Sequence, residues 1–420
     1  MDVAISRLAW FSPLPPVRSG VADVNRELLA ELDGHFEIDR FDEPRVHDFV
    51  WKHRRRAYDL VVYQLGNASC HDYIWAYLAR YPGLVVLHDP RLHHARARQL
   101  LNLKRFDDYR HEFWYDHPDV TRDVVEYAVV GLGGPIYYLW PMVRLVMNTA
   151  RVVAVHNGRV ADALRHEHPG SVVEAIRLGT APLETSDASR ASIRARFGIG
   201  DDAVVFVAFG KLTAEKRVTQ IVRAFAALVR NGVKAYLMLA GDGSGYAALD
   251  AEVQASGVGD RVHVAGYVDA ADVPAYLSAA DVCLCLRWPT ALETSASWLQ
   301  CLSAGRPTVI TDLAHLSDVP DSVALRVDLL DEDASLYRAM RRLADDARLR
   351  DDLSREGRDY WAANHTVRLM ADDYRRIIRT ALARPAPSPP DLPRHVTDDH
   401  TEPARAVARR FGVDLDDGWR

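Results

Sequence analysis

The sequence lacks long uninterrupted apolar runs, paired cysteines and an excess of positive charge. No run reaches the roughly 18 to 20 apolar residues that span a bilayer. The formal net charge of -6 argues against a nucleic-acid partner, because such binding needs a basic surface that displaces phosphate counterions. A site for a small anion remains compatible with this charge, since a few well-placed lysines suffice.

The four cysteines show neither CxxC pairing nor neighbouring histidines at zinc spacing. They are predicted to be reduced core thiols of a cytosolic protein. The first residues, MDVAISRLAWFSPLPP, have an early aspartate and prolines that interrupt the apolar stretch. They lack the basic segment and apolar core of a signal peptide, so a cytoplasmic location is expected.

The most apolar segment spans residues 124–147 and is interrupted by charged residues and prolines. We favour a pair of helices packed in the core of the first domain. The alternative is an interfacial patch in which Tyr137, Tyr138 and Trp140 contact an acceptor or the inner face of a membrane. This alternative leaves a peripheral membrane contact open.

Apolar strands alternate with amphipathic helices in both halves of the chain. This pattern is typical of parallel sheets covered on both faces, and it predicts an α/β fold with two Rossmann-like, doubly wound domains. The predicted strands are VAISRLAWF (3–11), DLVVYQL (59–65), GLVVLH (83–88), RVVAVH (151–156), AVVFVAF (203–209), AYLMLA (235–240), VHVAG (262–266) and VCLCL (282–286).

The polar, proline-containing stretch near residues 180–189 is typical of a linker. It predicts an N-terminal Rossmann-like domain over 1–185 and a C-terminal Rossmann-like domain over 186–365. The amphipathic segment 366–383 is expected to be a helix that crosses back to the first domain. The proline-rich composition after it predicts an extended tail over 384–420.

The segment FGKLTAEKR (209–217) carries Gly210, Lys211 and Lys216 at the point where a strand meets a helix expected to begin near Thr213. Two ammonium groups beside a helix N-terminus favour an anion site, because exposed N–H groups and the helix dipole add to their charge. A diphosphate is a suitable ligand. The alternative is a pair of solvated surface lysines.

Glycines follow two further strands of this half. AGDGSG (240–245) contains Gly243, and Gly266 ends the next strand. Glycine lets the backbone approach a ligand closely, although a plain turn has the same composition.

The first half shows similar turns. Ser19-Gly20 opens a predicted helix after SPLPP, and His88-Asp89 closes a strand in LHDPRLHH. A backbone N–H cradle and a strand-end histidine are typical of ligand sites, although both also occur in purely structural roles.

In ALETSASWLQ (291–300), Glu293 precedes Thr294 and Ser295 at a turn from strand to helix. These hydroxyl residues offer a helix N-terminus to phosphate. The alternative is a plain helix cap beside a solvated glutamate.

The ordered motifs SPLPP..SG, GN, LHD, GKLTAEK, GDG, AGYV and AGRPTVI resemble the retaining glycosyltransferases of family four over roughly residues 3–383. The resemblance implies the GT-B fold, in which two Rossmann-like domains face a central cleft. It implies that the N-terminal domain binds the acceptor and the C-terminal domain binds the nucleotide-sugar donor. It implies that Lys211 and Lys216 contact the donor diphosphate, that His88 contacts the transferred sugar, and that Gly20 approaches the phosphates.

The chain departs from the family pattern of two glutamates eight residues apart. Leu292 stands where the first is expected, with Glu293 one residue later, and Gln300 stands where the second is expected. Because the first glutamate of the family lies near the sugar, the resemblance makes Glu293 a candidate sugar contact through a shifted loop. Gln300 retains the ability to hydrogen-bond a ribose hydroxyl but carries no charge.

The resemblance implies a retaining transferase that moves a sugar from a nucleoside diphosphate sugar to a glycan, a lipid-linked or a small-molecule acceptor in polysaccharide biosynthesis. No metal or other cofactor is expected, because lysines and helix N-termini stabilise the leaving group. The acidic triplets 331–333 and 414–416 are interpreted as a helix-starting loop and a tail segment. Two alternatives are a catalytically weakened binding or scaffold protein and an epimerase-like enzyme acting on the nucleotide sugar.

Overall fold

The computed structural model describes residues 5–244, 246–388, 392–398 and 402–412. The chain divides into two compact units. The first comprises Met1–Asp23, Leu32–Ala175 and Arg375–Arg420, and the second comprises Val24–Glu31 and Ile176–Tyr374. Each unit contains one six-stranded parallel sheet.

The sheet of the first unit has the order β2-β1-β3-β4-β5-β6. Its central strands consist largely of apolar residues that are buried, as expected for a parallel sheet with helices on both faces. The strands are β1 (Arg7–Phe11), β2 (Glu37–Phe41), β3 (Leu60–Leu65), β4 (Leu84–Leu87), β5 (Val152–Val155) and β6 (Val173–Ala175).

Nine α-helices lie between the start of β1 and the end of β6. They are α1 (Gly20–Leu32), α2 (Asp48–Arg55), α3 (Trp75–Leu78), α4 (His93–Asn102), α5 (Phe106–Asp116), α6 (Arg122–Val129), α7 (Ile136–Leu139), α8 (Arg144–Thr149) and α9 (Gly158–Glu167). Two 3-10 helices cover Glu43–Arg45 and Ser69–Ile74.

The sheet of the second unit has the order β12-β11-β10-β7-β8-β9. Its strands are β7 (Val204–Phe209), β8 (Ala235–Ala240), β9 (Val262–Gly266), β10 (Val282–Cys285), β11 (Thr308–Thr311) and β12 (Ala324–Val327). The helices are α10 (Asp187–Arg196), α11 (Val218–Arg230), α12 (Leu249–Ala255), α13 (Val273–Ala279), α14 (Ala296–Ser303), α15 (Glu332–Asp345), α16 (Ala347–Asn364) and α17 (Val367–Leu382). Four 3-10 helices cover Ala214–Lys216, Gly259–Arg261, Ala314–Leu316 and Leu329–Asp331.

All eight predicted strands are present, and the predicted bounds of β8 and β9 are those observed. Four strands are absent from the prediction, namely β2, β6, β11 and β12. Two of them, β2 and β6, carry charged residues in EIDRF and VEA. Both occupy edges of the first sheet, where one side of the strand has no neighbour to bury it. Their short, polar sequences therefore lack the apolar pattern of a buried strand.

The structure places the break between units at Ala175 and Ile176 rather than at residue 185, and the second unit continues to Tyr374. The tail also differs from the extended segment expected over 384–420, because it contains α18 (Arg394–Thr397) and α19 (Glu402–Arg410). The α19 sequence is rich in alanine and arginine, which favour helix. The triplet 414–416 lies outside the described residues.

The apolar segment 124–147 forms three short helices, α6, α7 and α8, instead of the expected pair. Within it, Tyr137 and Trp140 pack against a buried cluster that includes Tyr109 and Phe113. This packing agrees with a place in the core of the first unit. In the part of the chain that is described, no helix has both the length and the apolar content required to cross a bilayer.

Candidate functional site

The turn after β7 brings two backbone segments and a lysine into close contact. Gly210 follows the strand with φ +98°, and a Cβ added to it would lie 2.6 Å from Nζ of Lys216. A Cβ on Gly241 would lie 1.9 Å from the carbonyl oxygen of Gly210. Both positions therefore require glycine, because any side chain would displace the lysine or the neighbouring backbone.

Lys216 turns back over the end of β7. Its Nζ donates hydrogen bonds to the carbonyl oxygen of Phe209, at 2.7 Å, and to Oγ of Ser297, at 3.3 Å. Burial, together with the nearby positive charge of Arg287, lowers the pKa of Lys216 to about 8. A bound anion would favour the charged form of this lysine.

Lys211 is placed differently. Its side chain is exposed, and no hydrogen bond or ion pair of this side chain occurs within the described ranges. The helix expected to begin near Thr213 is a 3-10 turn over Ala214–Lys216, and α11 begins only at Val218. Thr213 makes no capping hydrogen bond through its side chain. Arg217 at φ +59° separates the two helical segments, which explains the later start.

The N-terminus of α14 lies beside Lys216. Ser295 is the cap, and its Oγ accepts a hydrogen bond from the Trp298 amide at 3.3 Å. Oγ of Ser297 lies 3.1 Å from Oγ of Ser295 and also contacts the lysine, while Thr294 directly precedes the cap. The predicted helix start is therefore confirmed, and the positive end of its dipole is close to a buried ammonium.

Glu293 is held by two neighbours. Its Oε1 lies 2.7 Å from Nε of Arg287 in an ion pair, and its Oε2 accepts a hydrogen bond from Oγ1 of Thr290 at 2.9 Å. The preceding residue, Leu292, has φ +66°, a conformation that costs a side-chain-bearing residue roughly 1 to 2 kcal/mol. The alternative of a solvated glutamate is therefore wrong for this structure, since Glu293 is largely buried and paired.

Sequence reasoning missed Arg287, although it lies only two residues beyond the end of β10. Polar residues at that end of a parallel strand are frequent ligand contacts. The amide of Arg287 donates to Oγ1 of Thr311 at 2.9 Å, which fixes the backbone at this point.

The remaining predicted residues of the second unit are Gln300, Gly243 and Gly266. Gln300 is half-buried on α14, and its side chain has no hydrogen-bond partner among the described residues. A Cβ on Gly243 would lie 2.9 Å from Cδ2 of Leu249. Gly266 ends β9 with φ +73° and open space around a built Cβ. Gly245 lies outside the described residues.

In the first unit, His88 follows β4 and its Nε2 lies 2.8 Å from Oε1 of Gln64, a hydrogen bond whose direction depends on the tautomer. Its ring centroid is 5.0 Å from that of His156. Burial lowers the pKa of His88 well below its ordinary value, and His156 and His71 add to this effect. A neutral imidazole is expected at pH 7. Gln64 escaped sequence reasoning because it lies inside an otherwise apolar strand.

Gly20 is the first residue of α1, and Ser19 is its cap, accepting a hydrogen bond from the Val21 amide at 3.3 Å. Asp89 accepts a hydrogen bond from the Asn67 amide at 2.6 Å. Asp89 therefore fixes the turn after β3.

The structure thus assembles Gly210, Lys216, Ser295 and Glu293 into one group in the second unit, with Arg287 added. Within the described ranges, no group of three or more histidine, cysteine or acidic side chains is arranged to hold a metal ion. The dominant feature is a pair of cations, Lys216 and Arg287, which follow the adjacent strands β7 and β10. Such a pair suits an anionic ligand.

Residues 203–346 match the family described as glycosyl transferases group 1. This match covers all the residues of the group just described. The chain therefore carries a glycosyl transferase group 1 domain. The expectation drawn from the sequence motifs is confirmed at this level.

One curated relative is the alpha-D-kanosaminyltransferase of Streptomyces kanamyceticus, 28% identical over 196 residues. That alignment covers 46% of this chain and 50% of the relative, so the match spans about half the length of each.

Solved structures resemble most of this chain. Sucrose-phosphate synthase from Thermosynechococcus elongatus gives a TM-score of 0.65 at 17% identity, covering 90% of this chain and 99% of its own. HepE from Anabaena, in complex with UDP and glucose, gives a TM-score of 0.63 at 15% identity, and the match covers 89% of this chain and 100% of HepE. At such low identity the likeness concerns the fold, and it confirms GT-B with two Rossmann-like domains.

Proposed function

We propose that the protein is a retaining, metal-independent glycosyltransferase that moves a sugar from a nucleoside diphosphate sugar to an acceptor. The observation that carries the proposal is the buried ammonium of Lys216 beside the N-terminus of α14, inside the glycosyl transferase domain. When the glycosidic bond breaks, negative charge develops on the diphosphate. Cations fixed beforehand stabilise that charge more in the transition state than in the ground state.

The predicted residues other than Glu293 have the following roles in this proposal. Lys216 and Lys211 contact the diphosphate, together with Ser295, Thr294 and the backbone at Gly210. The remaining predicted contacts are Gln300, Gly243 and Gly266 for the nucleoside, and His88 and Gly20 for the sugar and phosphates. No covalent nucleophile is assigned, because front-face reaction at the sugar requires none.

The donor is proposed to carry uridine or another nucleoside diphosphate. A neighbour of similar fold was solved with UDP and glucose, which makes UDP-glucose the first donor to test. The curated relative is named for transfer of an alpha-D-kanosaminyl group, so donors with amino sugars come second. A glycan, a lipid-linked sugar or a small molecule is the proposed acceptor, at a cytoplasmic location.

The experiment measures release of nucleoside diphosphate from UDP-, GDP- and dTDP-sugars with and without acceptors. Turnover that persists in excess chelator supports the metal-independent mechanism, and complete loss in chelator contradicts it. The anomeric configuration of the product, read by proton NMR, tests retention. Inversion would exclude the retaining mechanism.

A second candidate is a binding or scaffold protein with weakened catalysis. The pairing of Glu293 with Arg287 favours this candidate. Glu293 stands one residue after the position of the family's first glutamate, and its carboxylate is already bound to the arginine. Tight UDP or GDP binding without turnover on any acceptor would favour this candidate over the enzyme.

A further inference from the structure

The ion pair between Arg287 and Glu293 has a fixed geometry. The Arg287 amide is bonded to Thr311, and its Nε lies 2.7 Å from Glu293. The arginine side chain retains 31% of its exposure, whereas the glutamate retains only 14%. Glu293 is thus the buried member, and Arg287 the member that solvent reaches.

Each carboxylate oxygen of the glutamate already has a partner. Arg287 occupies Oε1, and the Thr290 hydroxyl donates to Oε2. The same hydroxyl accepts from the Leu292 amide at 2.9 Å, which stabilises the left-handed turn at Leu292. Strained backbone that is held in this way is common at functional sites. Here the turn aims Glu293 at Arg287.

The guanidinium keeps donors available. The ion pair through Nε is the only hydrogen bond or ion pair of this side chain within the described residues. Neither Nη1 nor Nη2 therefore has a hydrogen-bond partner there. Two Nη groups in one plane match the oxygens of a phosphate. The segments that carry Arg287 and Lys216 are in contact, because the Trp288 amide donates a hydrogen bond to the carbonyl oxygen of Glu215 at 2.7 Å. Both cations therefore lie near one point.

We propose that Arg287 is an additional diphosphate-contacting residue and that Glu293 is its positioning residue. The inference rests on the proposed function, since it adds a cation to the same donor site. Lys216, Arg287 and Glu293 together carry one net positive charge, so the ion pair fixes the guanidinium without cancelling the attraction for an anion. Glu293 then acts through Arg287 and has no contact with the sugar.

The test compares binding of UDP, inorganic pyrophosphate and uridine by calorimetry. Arg287→Gln is expected to weaken UDP and pyrophosphate binding about 10- to 100-fold, the effect of a lost charged hydrogen bond. Uridine binding should change less than twofold. A merely structural role would weaken all three ligands equally, and that result would overturn the inference.

Further variants examine the positioning role. Glu293→Gln should weaken UDP binding about 3- to 10-fold, and adding it to Arg287→Gln should cause no further loss, because the glutamate acts only through the arginine. Additive losses would contradict this role. Arg287→Lys should restore part of the UDP affinity. Arg338→Gln, which removes an exposed ion pair with Asp331, is the matched control and should bind like the wild type.

A pH series gives an independent readout. The charged or titratable groups that act on Lys216 are Arg287, Glu293, Cys285 and Cys301. Removing the arginine charge should shift upward the pH at which UDP affinity falls, and an unchanged profile would argue against proximity of the two cations. If the wild type binds neither UDP nor GDP nor pyrophosphate, the proposed function fails as well. If it binds them and Arg287→Gln has no effect, this inference alone fails.

Discussion

The ammonium of Lys216 lies 2.7 Å from the carbonyl oxygen of Phe209, the last residue of β7. The lysine is therefore folded back against the strand end instead of extending into solvent. This position concentrates positive charge where the sheet meets the N-terminus of α14.

Lys216→Met should lower turnover about 100-fold, comparable to the loss of one preorganised donor to a developing charge. The free energy of unfolding should not fall, because the substitution removes a buried charge and keeps the aliphatic volume. Steady-state kinetics and urea denaturation measure the two effects. Lys234→Met, at an exposed lysine paired with Asp202, should change neither. Unchanged turnover in Lys216→Met would refute the diphosphate assignment.

Donor affinity should fall as the pH rises through about 8. The pKa of Lys216 is lowered from 10.5 to about 8, so the lysine loses its charge there in the folded protein. Between about 8 and 10.5 the unfolded chain binds more protons than the folded one, and this residue's contribution to stability rises with pH. UDP titrations and thermal unfolding, each compared with Lys216→Met, should reveal opposite trends. Parallel curves for both proteins would contradict the lowered pKa.

Gly210→Ala should destabilise the protein more than Gly232→Ala. Both glycines have positive φ, at +98° and +82°, so each substitution carries a backbone cost of about 1 to 2 kcal/mol. Only at Gly210 would the new methyl group also lie 2.6 Å from the lysine nitrogen. Chemical denaturation gives the difference, and UDP affinity should fall in Gly210→Ala alone. Equal effects on both measurements would mean that the lysine adapts freely.

His88 should remain neutral well below pH 6.5. Burial and the neighbouring His156 and His71 lower its pKa, and the contact with Gln64 orients its ring. Nitrogen-detected NMR of the histidine rings, assigned with His88→Gln, should show one constant tautomer from pH 8 to pH 6. A titration centred near the ordinary value of about 6.5 would disprove the burial effect.

Glu112→Gln should cost about 3 to 5 kcal/mol of stability, because it leaves the guanidinium of Arg96 buried with a weakened partner. Their side chains are 2% and 5% exposed and approach to 2.5 Å. Arg96 and His395 lower the pKa of Glu112 to about 2, so this stabilisation is present above about 4.5 and is lost as the pH falls toward 2. Glu126→Gln, which breaks a partly exposed pair with Arg110, should cost less than about 1 kcal/mol. Similar losses in urea denaturation would contradict the distinction.

The strands were the most predictable part of the fold. AYLMLA and VHVAG were bounded correctly, because buried parallel strands consist of apolar runs that end at glycine or a polar turn. The start of α11 was not predictable in the same way. Thr213 has the chemistry of a cap, but the left-handed turn at Arg217 comes between it and the helix.

The group of residues in the second unit was predictable only in part. Lys216, Gly210 and Ser295 lie at strand ends or helix starts, which sequence patterns reveal. Arg287 has no such pattern, since an arginine two residues past a strand resembles any surface cation. Its importance comes from the approach to Glu293, which depends on the turn at Leu292.

The sequence by itself determined the two α/β units, the glycosyl transferase motifs and the strand ends where ligand-binding residues occur, because these follow from local periodicity and turn chemistry. The tertiary structure decided the burial of Lys216, the pairing of Glu293 with Arg287 and the contact of His88 with Gln64. These three features depend on the distances between side chains that lie on separate strands and turns. Local sequence fixes neither the distance nor the dielectric surroundings that set the charge of each group.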